Sequence, residues 1–255
     1  MEILTHFSGL AITYESDRVT ALAGLVAYLS KATGEECFAG IWSYRFHEGL
    51  LWFVTRERIQ REINQAKNDT PLQSLSQCPS WSWTSTTDIV GYPNFPHLFR
   101  SCLDDWEIER PLGWRDSPNN PRFHRVKLTG FITDAEVGME DPRRTAIHQI
   151  YCQLYSTDRN GNGRPNLWRT LDDARGKTVG SAILDRPGDL LTRVQCLLVA
   201  IPERSEDQQG TLPYMSNFAL LLTATGEENE YHRVGLAGVD LHWMQGGRKR
   251  SIYIC

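Results

Sequence analysis

The stretch that decides the fold is residues 215–239, MSNFALLLTATGEENEYHRVGLAGV. It contains two runs rich in apolar and β-branched residues, 215–225 and 230–239, and Gly226-Glu227-Glu228-Asn229 separates them. Short apolar runs on either side of such a turn sequence predict two antiparallel strands joined as a hairpin.

Similar runs recur along the chain and favour a mainly β fold. Trp81-Ser82-Trp83-Thr84-Ser85 alternates rings with hydroxyls, which is the period-two pattern of a strand with one ring-bearing face. With no long helix between them, such runs predict an antiparallel barrel of about nine to eleven strands, or a sandwich. The further predicted strands are 100–109, 122–134, 146–156, 177–184, 192–202 and 250–255.

The N-terminal part reads as helical. The spacing of its apolar residues predicts a helix that begins after Asp17 and ends before Gly34, and a second helix over Phe38–Leu51. We therefore expect one α+β domain in which the helical portion packs on the barrel. Its helical portion, linker and barrel portion are expected at residues 1–70, 71–79 and 80–255.

Composition and charge exclude several classes of protein. The chain has 27 Lys and Arg against 31 Asp and Glu, a net charge of -4, so it lacks the basic excess of nucleic-acid binders. No apolar run reaches the length of about 18 residues that marks a membrane span. The N-terminus does not look like a signal peptide, and the six cysteines form no C-x-x-C pair, so we expect a cytoplasmic protein.

Known cofactor and metal motifs are missing from the sequence. It contains no phosphate-binding glycine loop, no H-E-x-x-H and no G-x-S-x-G. The series Asp158, Asn160 and Asn162 is typical of a calcium loop, but Arg169 stands where the bidentate Glu belongs. We therefore expect neither a cofactor nor a metal site.

Three blocks resemble the region after the catalytic-looking domain of fungal heterokaryon-incompatibility proteins. The first is the Asp17-Arg18 helix, and the second is Ala39-Gly40-Ile41-Trp42 followed by Leu50-Leu51-Trp52. The third is Pro79-Ser80-Trp81-Ser82-Trp83. Arg233-Val234-Gly235 and Ser251-Ile252-Tyr253-Ile254 are similar to that family's closing strands.

The chain departs from that family pattern in three ways. It begins shortly before the Asp17-Arg18 block, so the activity of the preceding domain is not carried over. Gln77 stands where the family has Arg, and Tyr44-Arg45-Phe46-His47 replaces an acidic and leucine-bearing face. Stand-alone proteins similar to this region are linked to fungal secondary metabolism, which implies cyclisation, including hetero-Diels–Alder reactions of tropolone quinone methides with terpenes.

The leading expectation is a cofactor-free enzyme that cyclises an apolar or phenolic small molecule. Eight Trp, nine Tyr and nine Phe supply rings for a pocket, and a cycloaddition needs confinement more than acid–base groups. His124 and His232 are the predicted polar, catalytic groups. The predicted substrate-binding residues are Trp52, Trp106, Tyr151, Tyr214 and Trp243.

Two other functions remain open at the level of sequence. The runner-up is a non-catalytic recognition module derived from an incompatibility protein, which needs a filled interior and an exposed apolar surface. An acid–base isomerase or dehydratase would share the ring-lined cavity of the cyclase. The sequence does not separate an enzyme from a binding module.

Overall fold

The computed structural model describes residues 7–8, 17–55, 78–86, 88–93, 99–109, 125–140, 168–186, 191–203 and 217–255. This part of the chain is mainly β, as expected. Its helices are α1 (Asp17–Thr33), α2 (Phe46–Gly49) and α3 (Leu241–Gln245). Its strands are β1 (Cys37–Phe38), β2 (Ile41–Trp42), β3 (Phe53–Thr55), β4 (Ile89–Gly91), β5 (Phe99–Ser101), β6 (Asp105–Glu109), β7 (Arg125–Glu140), β8 (Trp168–Asp172), β9 (Thr178–Leu184), β10 (Arg193–Pro202), β11 (Asn217–Ala224), β12 (Glu230–Val239) and β13 (Arg248–Ile254).

Nine of these strands, β5 to β13, form one large sheet. Its order is β13-β7-β8-β9-β12-β11-β10-β5, and β6 pairs with β7. β10 also pairs with β7, and β12 pairs in parallel with β13. The long β7 therefore pairs with four strands of the sheet, β6, β8, β10 and β13.

The hairpin predicted from residues 215–239 is confirmed. β11 and β12 pair antiparallel from Asn217 opposite Val239 to Ala224 opposite Tyr231. The turn contains Gly226 with φ 105° and Asn229 with φ 56°, left-handed conformations that Gly and Asn adopt more readily than other residues. The predicted strands at 177–184, 192–202 and 250–255 are also present, whereas 146–156 lies outside the described residues.

The sheet is buried on both faces by two different sets of side chains. Along β11, Phe218, Leu220 and Leu222 point to one face, and Ala219 and Leu221 point to the other. The first face belongs to a cluster that contains the buried rings, which we call the aromatic cluster. The second, which we call the aliphatic cluster, consists of Ala135, Leu171, Val179, Ala182, Leu184, Val194, Cys196, Leu198, Ala219, Leu221, Ala237, Val239 and Met244.

The predicted helix over Phe38–Leu51 is wrong. The segment instead forms the β1–β2 hairpin and the single turn α2. Ala39, Gly40 and Arg45 have φ values of 45°, 84° and 56°, and a right-handed helix cannot pass through such residues. The N-terminal portion is therefore not purely helical, and β3 pairs with β4 across the expected linker.

The predicted strand at Trp81–Ser85 is also wrong. Trp83–Ser85 forms a 3₁₀ turn, and the Ser82 hydroxyl accepts a hydrogen bond from the Thr84 amide at 3.0 Å. Both Trp81 and Trp83 are completely buried in the aromatic cluster. The alternation of rings and hydroxyls thus comes from a capped turn rather than from an extended strand.

The predicted first helix is confirmed as α1, which begins at Asp17. Gly34, with φ 78°, follows its last residue and is the left-handed stop expected there. Of the helices in the described ranges, none is both long and apolar enough to cross a bilayer.

Candidate functional site

Two tryptophan-bearing segments, 39–52 and 79–83, lie side by side in the aromatic cluster. The Trp52 Nε1–H donates to the Trp81 carbonyl at 3.0 Å, and the Trp83 Nε1–H donates to the Gly40 carbonyl at 3.1 Å. Irregular segments leave backbone carbonyls without sheet partners, and these indoles satisfy them. The two tryptophan-bearing blocks therefore hold each other in place.

Arg233 of β12 links the first of these segments to the large sheet through hydrogen bonds. Its fully buried guanidinium donates from Nε to Asp185 Oδ2 at 3.1 Å and from Nη1 to the Leu50 carbonyl at 2.7 Å. Nη2 donates to the Trp52 carbonyl, and the guanidinium carbon lies 3.5 Å from the centre of the Trp52 ring. Burial lowers the Arg233 pKa, and Asp185 opposes that shift. Arg233 is thus a structural tie whose donors are taken up by the chain itself.

Trp52, a predicted substrate-binding residue, has no exposed surface. Its N–H is bonded to Trp81 and its ring is covered by Arg233. The structure therefore places Trp52 within the packing of the aromatic cluster, where no substrate reaches its ring.

Trp106, another predicted substrate-binding residue, lies at the border of the aromatic cluster. It is half-buried on β6 and stacks nearly parallel on Phe46, with ring centres 4.3 Å apart and planes 12° apart. Phe38 meets it edge-on at 6.4 Å. Stacked rings with one partly open member form a platform on which a flat ligand can lie.

His232, a predicted catalytic residue, is exposed on β12 and faces a thiol. Its Nδ1 lies 3.3 Å from Cys255 Sγ, a distance at which an imidazole can exchange a proton with a thiol. However, partial burial and the nearby Glu230 carboxylate raise the Cys255 pKa to about 11. The thiol is therefore protonated at neutral pH and is not a prepared nucleophile.

The remaining predicted site residues do not join this group. Trp243 is half-buried on α3, against the aliphatic cluster. His124, Tyr151 and Tyr214 lie outside the described residues. The structure thus brings Trp52 and Trp106 into one cluster, whereas His232 and Trp243 belong to other parts of the sheet.

The outward side of α1 is the apolar surface that the sequence reasoning missed. Val26 packs against the aromatic cluster, and Leu29 and Ser30 are half-buried beside it. On the remaining surface Leu25 is 38% exposed and Tyr28 is 71% exposed. We call the surface that carries Gly24, Leu25, Tyr28 and Lys31 the α1 face.

The composition of α1 is the sequence feature that indicates an interaction surface on this helix. The helix has apolar residues around most of its circumference, with Arg18 and Lys31 as its only basic residues. A helix that is apolar on all sides is usually buried. The exposure of one side of α1 therefore indicates an interaction surface. The position of the rest of the fold was needed to decide which side stays open.

No family model, curated protein or solved structure matches the chain. Among the described residues, no group of three or more His, Cys, Asp or Glu side chains is arranged to hold a metal ion.

Proposed function

We propose that this chain is a non-catalytic recognition module, a rigid β scaffold that presents the α1 face to a protein partner. The observation that carries the proposal is the exposure of Leu25 and Tyr28 on a helix whose other side packs through Val26. An exposed apolar helix surface is a common docking surface for another protein.

The packing of the large sheet supports a scaffold role. Buried rings that include Trp52, Trp81 and Trp83 fill the aromatic cluster, and aliphatic side chains fill the other face of the sheet. Trp52 and Trp83 donate their indole N–H groups to backbone carbonyls, which rigidifies the fold and leaves fewer groups for chemistry.

We further propose that the sheet is closed as a barrel. The pairings from β7 through β8, β9, β12 and β11 reach β10, which pairs back to β7 with Val194 opposite Ala135. Each of these strands contributes to the aliphatic cluster, as the strands of a small side-chain-filled barrel do. If the barrel is closed, amides of residues 193–197 that face β7 exchange slowly with deuterium. Fast exchange there would show an open edge.

Site-specific photo-cross-linking tests the recognition module. A benzophenone amino acid replaces Tyr28 in one variant and the exposed Lys177, in the turn between β8 and β9, in the control. In cells that express the protein, we expect a discrete protein adduct from position 28 that Leu25→Glu removes. Adducts of equal yield at both positions, or none at position 28, would contradict the proposal.

The second candidate is the cofactor-free cyclase, and Trp106 is the observation that favours it. Its ring stacks on Phe46, and its indole N–H donates no hydrogen bond to a described residue. A phenolic or tropolone oxygen at the edge of the indole would accept that N–H in the ring plane, which would orient the ligand for cycloaddition.

Ligand-observed NMR with tropolone as the probe tests the cyclase. Saturation transfer from the protein to tropolone is expected in the wild type and is expected to fall sharply in Trp106→Leu. Trp243→Leu is the matched control, because Trp243 is also half-buried but lies against the aliphatic cluster. No transfer in the wild type, or equal loss in both variants, would argue against a site at Trp106.

A further inference from the structure

We infer that the partner of the α1 face is a second copy of this chain, so this inference rests on the proposed recognition function. The two copies of α1 pair antiparallel about a two-fold axis at Gly24. The inference rests on which positions share the outward side of α1, on the order of charges along it, and on the exposure of Tyr28.

The outward positions of α1 form a regular series. Val26, Leu29 and Ser30 turn toward the body of the protein, since they are half-buried while their helix neighbours are exposed. On the opposite side, positions 17, 21, 24, 28 and 31 follow one another at intervals of four and three residues. Such intervals keep residues on one side of a helix and provide the seam of a two-helix pair.

This series is complementary to itself when the second helix runs the opposite way. Pairing about Gly24 places position 31 of each copy, a Lys, at the level of position 17 of the other, an Asp, so the order of charges along the helix is complementary to itself. A parallel pair would instead place Lys31 beside Lys31. Antiparallel helices also align their dipoles favourably.

The centre of the series lets two helices approach closely. A Cβ added at Gly24 would meet no atom of the described residues within 4 Å. Tyr28, 71% exposed, falls at the level of position 20 of the second copy. The phenol ring can therefore lie against the second helix on both sides of the axis.

The size of α1 sets the expected strength of the dimer. A helix of 17 residues is about 25 Å long at 1.5 Å per residue. Two such helices alone bury less than a standard protein interface, so we expect weak, concentration-dependent association.

Sedimentation equilibrium of the full chain over a wide concentration range tests the inference. We expect a monomer–dimer equilibrium that Tyr28→Glu abolishes. The control Tyr44→Glu, at a residue 68% exposed but outside α1, should leave the dimer unchanged. Lys31→Glu should weaken it about twofold to thirtyfold, since two symmetric surface ion pairs are lost.

A symmetric disulfide tests the axis itself. Gly24→Cys should give a covalent dimer on mild oxidation, because the two copies of position 24 meet at the axis. Ala32→Cys, exposed on the same helix but away from the axis, should give no more covalent dimer than the wild type with its native cysteines.

Three results would overturn the second copy as partner. They are a monomer at every concentration, a dimer that survives Tyr28→Glu, and equal disulfide yield at positions 24 and 32. The recognition module would still stand if the Tyr28 photo-adduct had a mass that differs from two copies of the chain. If the Tyr28 position also gave no adduct, both proposals would fail.

Discussion

The two faces of the large sheet are filled in different ways. The aromatic cluster holds Trp52, Trp81 and Trp83 and depends on side-chain hydrogen bonds to backbone carbonyls. The aliphatic cluster has no ring among its fully buried members and lies against strands whose backbone is already paired. Regular strands satisfy their own polar groups, whereas the irregular N-terminal segments need side chains to do so. The comparison predicts which substitutions disturb which face.

The largest expected effect is at Arg233. Arg233→Met should lower the free energy of unfolding by about 3–5 kcal/mol, because it removes the guanidinium hydrogen bonds to Asp185 and to the buried carbonyls of Leu50 and Trp52. Urea unfolding measures this change. The control is Arg193→Met, whose side chain is 85% exposed and which should change stability by less than about 0.5 kcal/mol. Equal effects would contradict the assigned role of Arg233.

Two adjacent leucines of β11 separate the two faces. Leu220 faces the aromatic cluster and Leu221 the aliphatic one, and both are completely buried. Each substitution to Ala should cost about 2–5 kcal/mol. The near-ultraviolet circular dichroism of the tryptophans should change more in Leu220→Ala than in Leu221→Ala, because Trp52, Trp81 and Trp83 are buried in the aromatic cluster whereas Trp243 is only half-buried against the aliphatic one. The reverse pattern would mean that the faces are misassigned.

A smaller effect is expected from the turn that carries Gly40. Gly40 has φ 84°, and an added Cβ would lie 2.5 Å from Trp83 Nε1, so Gly40→Ala strains the backbone and displaces that ring. Gly34 has φ 78° with open space around it, so Gly34→Ala should cost only the conformational strain, about 1–2 kcal/mol. Thermal unfolding of both variants checks the order. A Gly34→Ala loss as large as that of Gly40→Ala would argue against the Trp83 contact.

The smallest effect is a pH dependence at the start of β12, outside both clusters. Hydrogen bonds from Arg125 and Thr225 lower the Glu230 pKa below its usual value. The folded protein therefore favours the ionised form, and this stabilisation is complete above about pH 4.3 and is lost as the pH falls through the folded pKa. Glu230→Gln should remove about 0.2–1 kcal/mol at neutral pH and flatten the stability curve in acid. An unchanged curve between pH 3 and pH 6 would contradict the ion pair.

The strands of the large sheet were predictable because their signals are local. Apolar runs bounded by turn residues form β9, β10, β11 and β12. The residues at 226–229 predict the hairpin turn between the last two of these strands. Helix α1 ends at Thr33, before Gly34, for the same reason. In each case the local preference agrees with the final fold.

The failures lie where tertiary contacts override the local pattern. Phe38–Leu51 has helical spacing, but Gly40 turns with a positive φ beneath the Trp83 ring, and the chain folds back as β1 and β2. The sequence around Trp52 likewise does not show that Arg233, far along the chain, covers its ring. The sequence does not predict the exposure of Tyr28 either, since that exposure depends on which elements of the fold pack against α1.

A crystal structure under xenon pressure tests most directly whether side chains fill the interior of the sheet. Xenon enters empty apolar cavities, so a hollow sheet would take it up. Because these side chains are closely packed, we expect no xenon in the aliphatic cluster, which includes Leu171, Val194 and Leu221. Ordered xenon atoms at that position would show a hollow interior, and the chain would then have to be explained as a protein that encloses its ligand.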